Sequence, residues 1–307
     1  MQAWRREGRK PPTQVADGRS RCFCGAEIEI ADVELHVLAA HIAKERIDAM
    51  SDLNETQHES FRLPTNKDIP IWRYMDLAKY LTMLNSRGLF FPRATSLGDP
   101  FEGSSPRMIV LGREYIRANR ATDPALAGWK DAPDAMFDQL RAITKDSVQR
   151  YLVSCWHMSE HESAAMWKLY SSSNESVCVR STYRRLRLCL PQYVFIGEVN
   201  YIDYDTQSFP PSQMLNYIMH KRLSFSHERE LRAIFWEMDG TPEAQPHKSK
   251  ISPSGLTIEV ELPSLIERVY VNPTATPWFA KLVEAMTAKC GFSFPVAQSA
   301  LSTAPLY

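Results

Sequence analysis

Two acidic residues ahead of an apolar segment are the sharpest chemical feature of this sequence. Glu228, Glu230 and Arg232 recur at every second position, and a period of two places them on one side of a β-strand. Carboxylates that enter an apolar strand are costly unless they are paired or face a wet cleft. The pattern predicts either a salt-bridged edge strand or a pair of carboxylates for acid–base chemistry, and the apolar neighbours favour the second, on a central strand.

An arginine and two further carboxylates in the first half of the chain could contribute to the same site. Arg73 lies at the predicted end of a short strand, where a fixed guanidinium can grip a phosphate or a carboxylate with two hydrogen bonds. Asp99 lies in a tight Gly-Asp-Pro turn, for which the structural alternative is an Asx turn. Glu102 lies on a loop between Phe101 and Gly103 without an evident structural task, so it is the stronger functional candidate of the two.

A Cys/His pattern near the N-terminus resembles a Cys-Cys-His-His zinc finger, since Zn²⁺ prefers a tetrahedron of thiolates and imidazoles. It departs from the usual spacing by having one residue between the cysteines and eleven before the first histidine. The alternative is an amphipathic helix whose histidines flank its apolar stripe. The predicted ligands are Cys22, Cys24, His36 and His41.

Composition limits the classes of protein to consider. The chain has 307 residues, 36 of them Lys or Arg and 36 Asp or Glu, with 44% hydrophobic and 23% charged residues. Such a balance is ordinary for a globular protein and argues against one that mainly coats nucleic acid or an anionic membrane. No run approaches the ~18 apolar residues of a spanning helix, and the first residues are charged without an apolar h-region, so no secretory signal is expected. Scattered, lone cysteines favour reduced thiols and a cytoplasmic location.

The order of predicted elements indicates an α+β fold. Helices gather in the middle of the chain and strands toward its C-terminus, without regular β-α-β alternation, so a mixed or antiparallel β core with a helical middle segment is expected. A small helical or zinc-finger-like unit precedes it. The predicted organisation is a disordered basic arm at 1–21, the small unit at 22–57, a linker at 58–70 and the main domain at 71–307.

Several short segments together resemble a prokaryotic family catalogued as domain of unknown function 2971. The resemblance covers about residues 70–307 and leaves the Cys/His unit outside it. Gly98 stands where that family often has Asn, so an Asn contact is lost there. The matching segments are Trp72-Arg73-Tyr74, Gly88-Leu89-Phe90-Phe91, Gly98-Asp99-Pro100-Phe101-Glu102, Ser154-Cys155-Trp156, Met166-Trp167-Lys168-Leu169-Tyr170, Phe225-x-x-Glu228-x-Glu230-x-Arg232 and a C-terminal segment from Val269 to Ser299.

The order arginine, serine-bearing strand, Glu-x-Glu is similar to that of ADP-ribosyltransferases, which implies an ADP-ribosyltransferase-like fold and NAD as substrate. In that comparison Arg73 holds the diphosphate and Ser154 orders the nicotinamide side. Trp167 or Tyr170 stacks on the nicotinamide, although such an aromatic edge more often belongs to a core. Glu230 stabilises the oxocarbenium-like charge, and Glu228 orients or deprotonates the nucleophile. The predicted NAD-binding residues are Arg73, Tyr74, Asp99, Glu102, Ser154, Trp167 and Tyr170, and the predicted catalytic residues are Arg73, Glu228 and Glu230.

This interpretation implies a nucleic-acid or protein acceptor, no membrane partner, and a role in bacterial defence or as a toxin. It requires that Arg73, Ser154, Tyr170 and Glu230 converge on one cleft. One alternative is a Mg²⁺-dependent phosphodiester hydrolase that uses the carboxylates of Asp99, Glu102, Glu228 and Glu230. A second is a non-enzymatic module that senses nucleotides or nucleic acid. The acceptor and the oligomeric state stay open.

Overall fold

The computed structural model divides into two compact units, Met1–Ser51 and Asp52–Tyr307. The residues that it describes are 19–21, 27–29, 58–171, 173–238 and 247–306. Among these residues, no helix combines the length and the apolar character that crossing a bilayer requires.

In the first unit, strand β1 (Arg19–Arg21) pairs antiparallel with strand β2 (Glu27–Glu29), so that Arg19 lies opposite Glu29. The predicted basic arm at 1–21 includes the three residues of β1, and its other residues lie outside the described part of the chain. The predicted zinc ligands lie outside the described residues; they are Cys22, Cys24, His36 and His41.

A seven-stranded, mostly antiparallel sheet is the centre of the second unit. In the order in which they lie side by side, its strands are β13 (Val296–Gln298), β12 (Arg268–Val271), β6 (Ser176–Thr182), β3 (Pro70–Asp76), β5 (Tyr151–Met158), β10 (Glu230–Trp236) and β7 (Phe195–Glu198). Only β12 and β13 pair in parallel within this sheet. Two ribbons flank it: antiparallel β4 (Gly88–Pro92) with β11 (Gly255–Glu259), and parallel β8 (Asn200–Ile202) with β9 (His220–Arg222).

The helices of the second unit lie mainly between β3 and β7 along the chain. They are α1 (Leu77–Ser86), α2 (Arg107–Asn119), α3 (Asp134–Ser147), α4 (Ala164–Tyr170), α5 (Tyr183–Cys189), α6 (Asn216–Met219), α7 (Leu262–Leu265) and α8 (Pro277–Lys289). Short 3₁₀ helices occupy Ala94–Ser96, Pro124–Trp129, Val148–Arg150, Leu223–Glu228, Lys248–Lys250 and Ala300–Ser302. Asp76 ends β3 and caps α1, because its carboxylate accepts a hydrogen bond from the Lys79 amide at 2.8 Å.

Alternation of side chains gives the sheet two different faces. The core face carries Ile71, Trp156 and Leu231, which pack with α1, α5, α8 and the β4–β11 ribbon in the main hydrophobic core. The charged face carries Cys155 and Arg232, which lie opposite each other on β5 and β10. Adjacent residues of one strand therefore belong to chemically different environments.

The sheet splits along the line between β3 and β5. The two strands pair only at Ile71 with Met158 and at Trp72 with His157. Toward the other end of β5, the residue that follows β4, Arg93, forms a bridge with Leu152 instead. Near the start of β5, the backbone partner on this side therefore comes from the segment that follows β4, and a gap between β3 and β5 lies beside Arg73.

The α+β class predicted from the sequence is confirmed, and the sheet is mostly antiparallel as expected. The helical middle segment that the sequence predicts corresponds to α1, α2, α3 and α4. The predicted linker at 58–70 includes a packed residue: Phe61 is buried and stacks on Phe195 of β7 with ring centroids 5.3 Å apart.

Candidate functional site

Arg232, in the middle of β10, is fully buried and holds two carboxylates at once. Its Nε and Nη2 donate to the two oxygens of Glu230 at 2.6 and 3.0 Å. Its Nη1 and Nη2 donate to the two oxygens of Glu102 at 2.8 Å each. Paired bonds of this kind combine charge with a fixed planar geometry, so Arg232 fixes Glu230 of the strand and Glu102 of the distant loop in one place.

Lys221, on β9, brings a third carboxylate into the same cluster. Its Nζ lies 2.6 Å from Glu228 Oε2, 3.3 Å from Glu102 Oε1 and 3.5 Å from Glu230 Oε2. The side chains of Glu102, Lys221, Glu228, Glu230 and Arg232, called the buried charge cluster below, are all at least 92% shielded from solvent. Three carboxylates therefore share two cations, which leaves one negative charge in excess.

The cations determine the ionisation of the carboxyl groups that they contact. Burial by itself raises the pKa of Glu230, but the Arg232 guanidinium and the Lys221 ammonium outweigh burial and hold that pKa at about 2. Burial also lowers the pKa of Lys221, and the carboxylates of Glu230 and Glu102 more than compensate, so that it lies above its usual value. Glu230 and Lys221 are therefore both charged at neutral pH.

A left-handed residue explains how two carboxylates so close in sequence reach one ammonium. Glu228 ends the 3₁₀ helix Leu223–Glu228, and Arg229 adopts φ 40° and ψ 55° before β10 begins. This conformation costs a residue with a Cβ about 1–2 kcal/mol. Glu228 therefore lies outside the strand in which the two-residue period had placed it. The left-handed conformation of Arg229, and not the alternation of strand side chains, brings the Glu228 carboxylate to Lys221.

Two tyrosines complete the hydrogen bonding of the acidic pair. Tyr170, at the end of α4, donates from its hydroxyl to Glu228 Oε1 at 3.2 Å, while 45% of the residue stays exposed. Tyr201 of β8 accepts a hydrogen bond at its hydroxyl from the Glu230 amide at 2.9 Å. Burial, together with the nearby carboxylates, raises the pKa of both phenols above the usual value, so both hydroxyls stay protonated at neutral pH.

Asp99 joins the site through a separate ion pair. Arg222 donates from Nε and Nη2 to the two Asp99 oxygens at 3.2 and 2.6 Å, and its guanidinium lies over the Phe101 ring at 4.2 Å. Asp99 Oδ1 also accepts from the Phe101 amide at 3.0 Å. Asp99 therefore both closes an Asx turn, the structural alternative given above, and attaches the loop that carries Glu102 to β9.

The structure places Arg73 and Ser154 on the core face, away from the acidic pair. Arg73 Nη1 donates to Ser154 Oγ at 3.0 Å and Nη2 donates to the Phe90 carbonyl at 3.0 Å. Ser154 lies opposite Ala233, whereas its neighbour Cys155 lies opposite Arg232. The expectation that Arg73, Ser154, Tyr170 and Glu230 converge on one cleft is therefore wrong, because adjacent strand residues point to opposite faces.

Arg73 instead spans the gap in the sheet, where it connects β3 to β5 and β4 and lies 5.7 Å from the Trp156 ring centroid. Burial lowers the pKa of its guanidinium. Within the described residues, no carboxylate forms an ion pair with it. Its contacts are those of a residue that joins the two halves of a split sheet.

The predicted aromatic residues divide into one exposed side chain and two buried ones. Tyr74 and Trp167 are 7% and 3% exposed and pack edge to face, with ring centroids 5.0 Å apart. Their polar atoms are occupied, since Tyr74 accepts from the Ser163 amide and Trp167 Nε1 donates to Glu162. Tyr170 is therefore the predicted stacking residue that a ligand could reach.

Some residues of the site were missed from the sequence. Lys221 and Arg222 are not among the predicted site residues, although a basic pair so near two carboxylates was a usable signal. His157 is not among them either; its Nδ1 lies 2.6 Å from the Glu228 carbonyl, and burial lowers its pKa. The neutral ring therefore donates to that carbonyl. No sequence signal distinguished Tyr201 or Cys155.

The carboxylates of the alternative metal-dependent hydrolase are already engaged. Both oxygens of Glu102 and of Glu230 accept from Arg232, and Asp99 is paired with Arg222. A divalent cation would have to displace the fully buried Arg232 and the partly exposed Arg222 from their hydrogen bonds. In the part of the chain that the structure describes, no group of three or more His, Cys, Asp or Glu side chains is arranged to hold a metal ion.

No protein-family model, no curated protein and no solved structure matches this chain. The resemblances drawn from the sequence therefore stay predictions, and what the site can do follows from its own geometry.

Proposed function

We propose that the protein transfers ADP-ribose from NAD to a macromolecular acceptor through the charged face of the sheet alone, without the Arg73 and Ser154 contacts that the sequence comparison implied, and with the reacting sugar placed against Glu228 and Tyr170. The observation that carries this proposal is the excess negative charge of the buried charge cluster beside an exposed tyrosine ring. Loss of nicotinamide from NAD develops positive charge on the ribose, and a fixed carboxylate stabilises that charge most strongly where water is excluded.

The donor's own charge distribution fits this arrangement. The nicotinamide ring of NAD is cationic, so it is attracted both to the excess negative charge and to the face of Tyr170. The exposed side chain of Arg229, next to Glu228 in sequence, supplies a cation for the diphosphate in place of Arg73. Glu230 keeps a positioning role, because both of its oxygens are held by Arg232.

The proposed reaction breaks the bond between the ribose C1′ and the nicotinamide nitrogen, and the electron pair leaves with nicotinamide. A nucleophilic atom of the acceptor then bonds to C1′, and its proton passes to Glu228. Lys221, at 2.6 Å, holds the Glu228 carboxylate in place during both steps. Neither step requires an oxidant or a reductant.

Replacing Glu228 with glutamine tests the proposal directly. We expect nicotinamide release from NAD, measured with protein and nucleic-acid acceptors, to fall by about 10²–10⁴-fold, because the amide can neither balance the positive charge nor take the proton. Glu259→Gln is the matched control, since Glu259 is an exposed strand residue whose side chain is 72% accessible. Full activity in Glu228→Gln, or no release with any acceptor, would overturn the proposal. Chelator-sensitive cleavage of nucleic acid would favour the hydrolase instead.

Arg73→Met separates a framework role from a role in donor binding. The variant loses two hydrogen bonds from a charged donor, so we expect the free energy of unfolding to fall by about 1–3 kcal/mol. Nicotinamide release by the folded variant should stay close to that of the wild type. Denaturant unfolding and initial rates at low NAD check the two parts. Normal stability together with a lower initial rate at low NAD would show instead that Arg73 binds the donor.

A further inference from the structure

A cavity of about 670 Å³ lies between α2, α3 and the loop that follows β4. Pockets of this size accommodate small-molecule ligands. One wall is the loop at residues 97–105, and the other walls are the facing sides of the two helices. The loop residues Asp99 and Glu102 line the cavity, but their carboxylates are already paired with Arg222 and Arg232.

Basic side chains without acidic partners surround this cavity. Arg141 and Lys145 are exposed and lie one turn apart on α3, and within the described residues neither forms an ion pair. Arg113 of α2 donates to Ser105 Oγ at 2.9 Å and, in the same described part of the chain, likewise has no carboxylate partner. Arg117 differs, because it is paired with Asp134 and Asp138.

The remaining lining carboxylate, that of Glu114, is exposed. Counted over the described residues, the lining has as many acidic as basic side chains, but three of the cations and only one of the carboxylates lack an ion-pair partner, so the cations available to a ligand outnumber the available anions.

Apolar side chains form part of the lining. Val110, Phe137 and Val148 contribute to it, and the Phe137 ring packs beside Trp129 with centroids 6.1 Å apart. The cavity therefore offers both unpaired cations and apolar surface to a ligand.

We propose that this cavity binds a small phosphorylated ligand with a ring or other apolar group, the chemistry of a nucleoside phosphate. Arg141, Lys145 and Arg113 meet the phosphates, and the apolar wall beside Phe137 receives the ring. The site is separate from Glu228 and Tyr170, so the proposal stands independently of NAD turnover. The cavity combines cations with an aromatic side chain, which distinguishes it from a surface that binds anions by charge alone.

Calorimetric titration of the full chain with ATP, AMP, adenosine and pyrophosphate tests the assignment. We expect saturable binding of the nucleotides, with adenosine and pyrophosphate each about tenfold weaker or more, because each lacks one half of the contacts. If pyrophosphate bound as tightly as ATP, the ring would contribute nothing to binding, and the proposed contact with the apolar lining beside Phe137 would be overturned. No saturable binding of either nucleotide would overturn it entirely.

Charge reversal locates the binding in this cavity. Arg141→Glu combined with Lys145→Glu should weaken nucleotide binding about tenfold or more. The matched control is Lys281→Glu with Lys289→Glu, two exposed lysines of α8, which should bind the nucleotides normally. Equal affinity in the α3 variant and the α8 control would contradict the assignment.

Discussion

Arg232→Met is expected to lower the free energy of unfolding by about 3–5 kcal/mol, the effect of breaking a buried ion pair. The fully buried guanidinium donates to both oxygens of Glu102 and of Glu230. Methionine fills much of the space but leaves these carboxylates buried with only Lys221 as a cation. A loss of that size is a large fraction of the ~5–15 kcal/mol by which proteins are stable. Denaturant unfolding followed by circular dichroism measures it.

Two further variants make this expectation decisive even if Arg232→Met fails to fold. Arg62→Met removes an exposed arginine, 74% accessible, from its pair with Glu198, and should change stability by less than about 0.5 kcal/mol. A triple variant, Arg232→Met with Glu102→Leu and Glu230→Leu, also removes the two carboxylates that Arg232→Met leaves without their guanidinium partner. This variant should recover most of the lost stability. A triple variant no more stable than Arg232→Met would show that the loss has another cause.

Acid is expected to remove about 3 kcal/mol of stability through Glu230 alone. Arg232 and Lys221 hold the pKa of this carboxyl at about 2 in the folded protein, against 4.5 for an ordinary glutamate. Because the folded-state value is the lower one, the contribution is fully present above pH ~4.5 and is lost as the pH falls toward ~2. Free energies of unfolding between pH 2.5 and 7 should show this decline.

Comparison with Glu230→Gln isolates the contribution of this residue from that of the other acidic residues. The stability difference between the wild type and Glu230→Gln should be largest above pH 4.5 and should shrink steadily as the solution is acidified. Glu259→Gln, at an exposed position, should differ little from the wild type at any pH in the range. A difference for Glu230→Gln that is the same at pH 3 and pH 7 would show that the folded-state pKa is not depressed.

Local patterns in the sequence predicted the elements of the second unit well. Apolar positions at helical spacing indicated α1, and short β-branched and aromatic segments indicated β5, β6 and β10. These patterns depend on contacts between near neighbours in the chain, which a sequence displays directly. The acidic motif at Glu228 and Glu230 was recognised for a similar reason, because carboxylates next to an apolar strand are costly wherever that strand lies.

Contacts between residues far apart in the sequence decided which of these side chains lie together. The cation between Glu230 and Glu102 is Arg232, and the loop that carries Glu102 reaches it from 130 positions away. The sequence marked Glu102 as an interesting carboxylate but gave no means of assigning its partner. Lys221 is near Glu228 in the chain, yet it reaches the carboxylate from the neighbouring β8–β9 ribbon.

Composition and periodicity by themselves determined that this chain forms an α+β structure with carboxylates at the start of a buried strand. Only the tertiary structure decided that Arg73 and Ser154 lie on one face of the sheet and that Glu228 and Glu230 serve the other. The physical reason is that alternation fixes the faces only within a single strand. The relation between strands depends on register, and a shift of one residue exchanges the two faces.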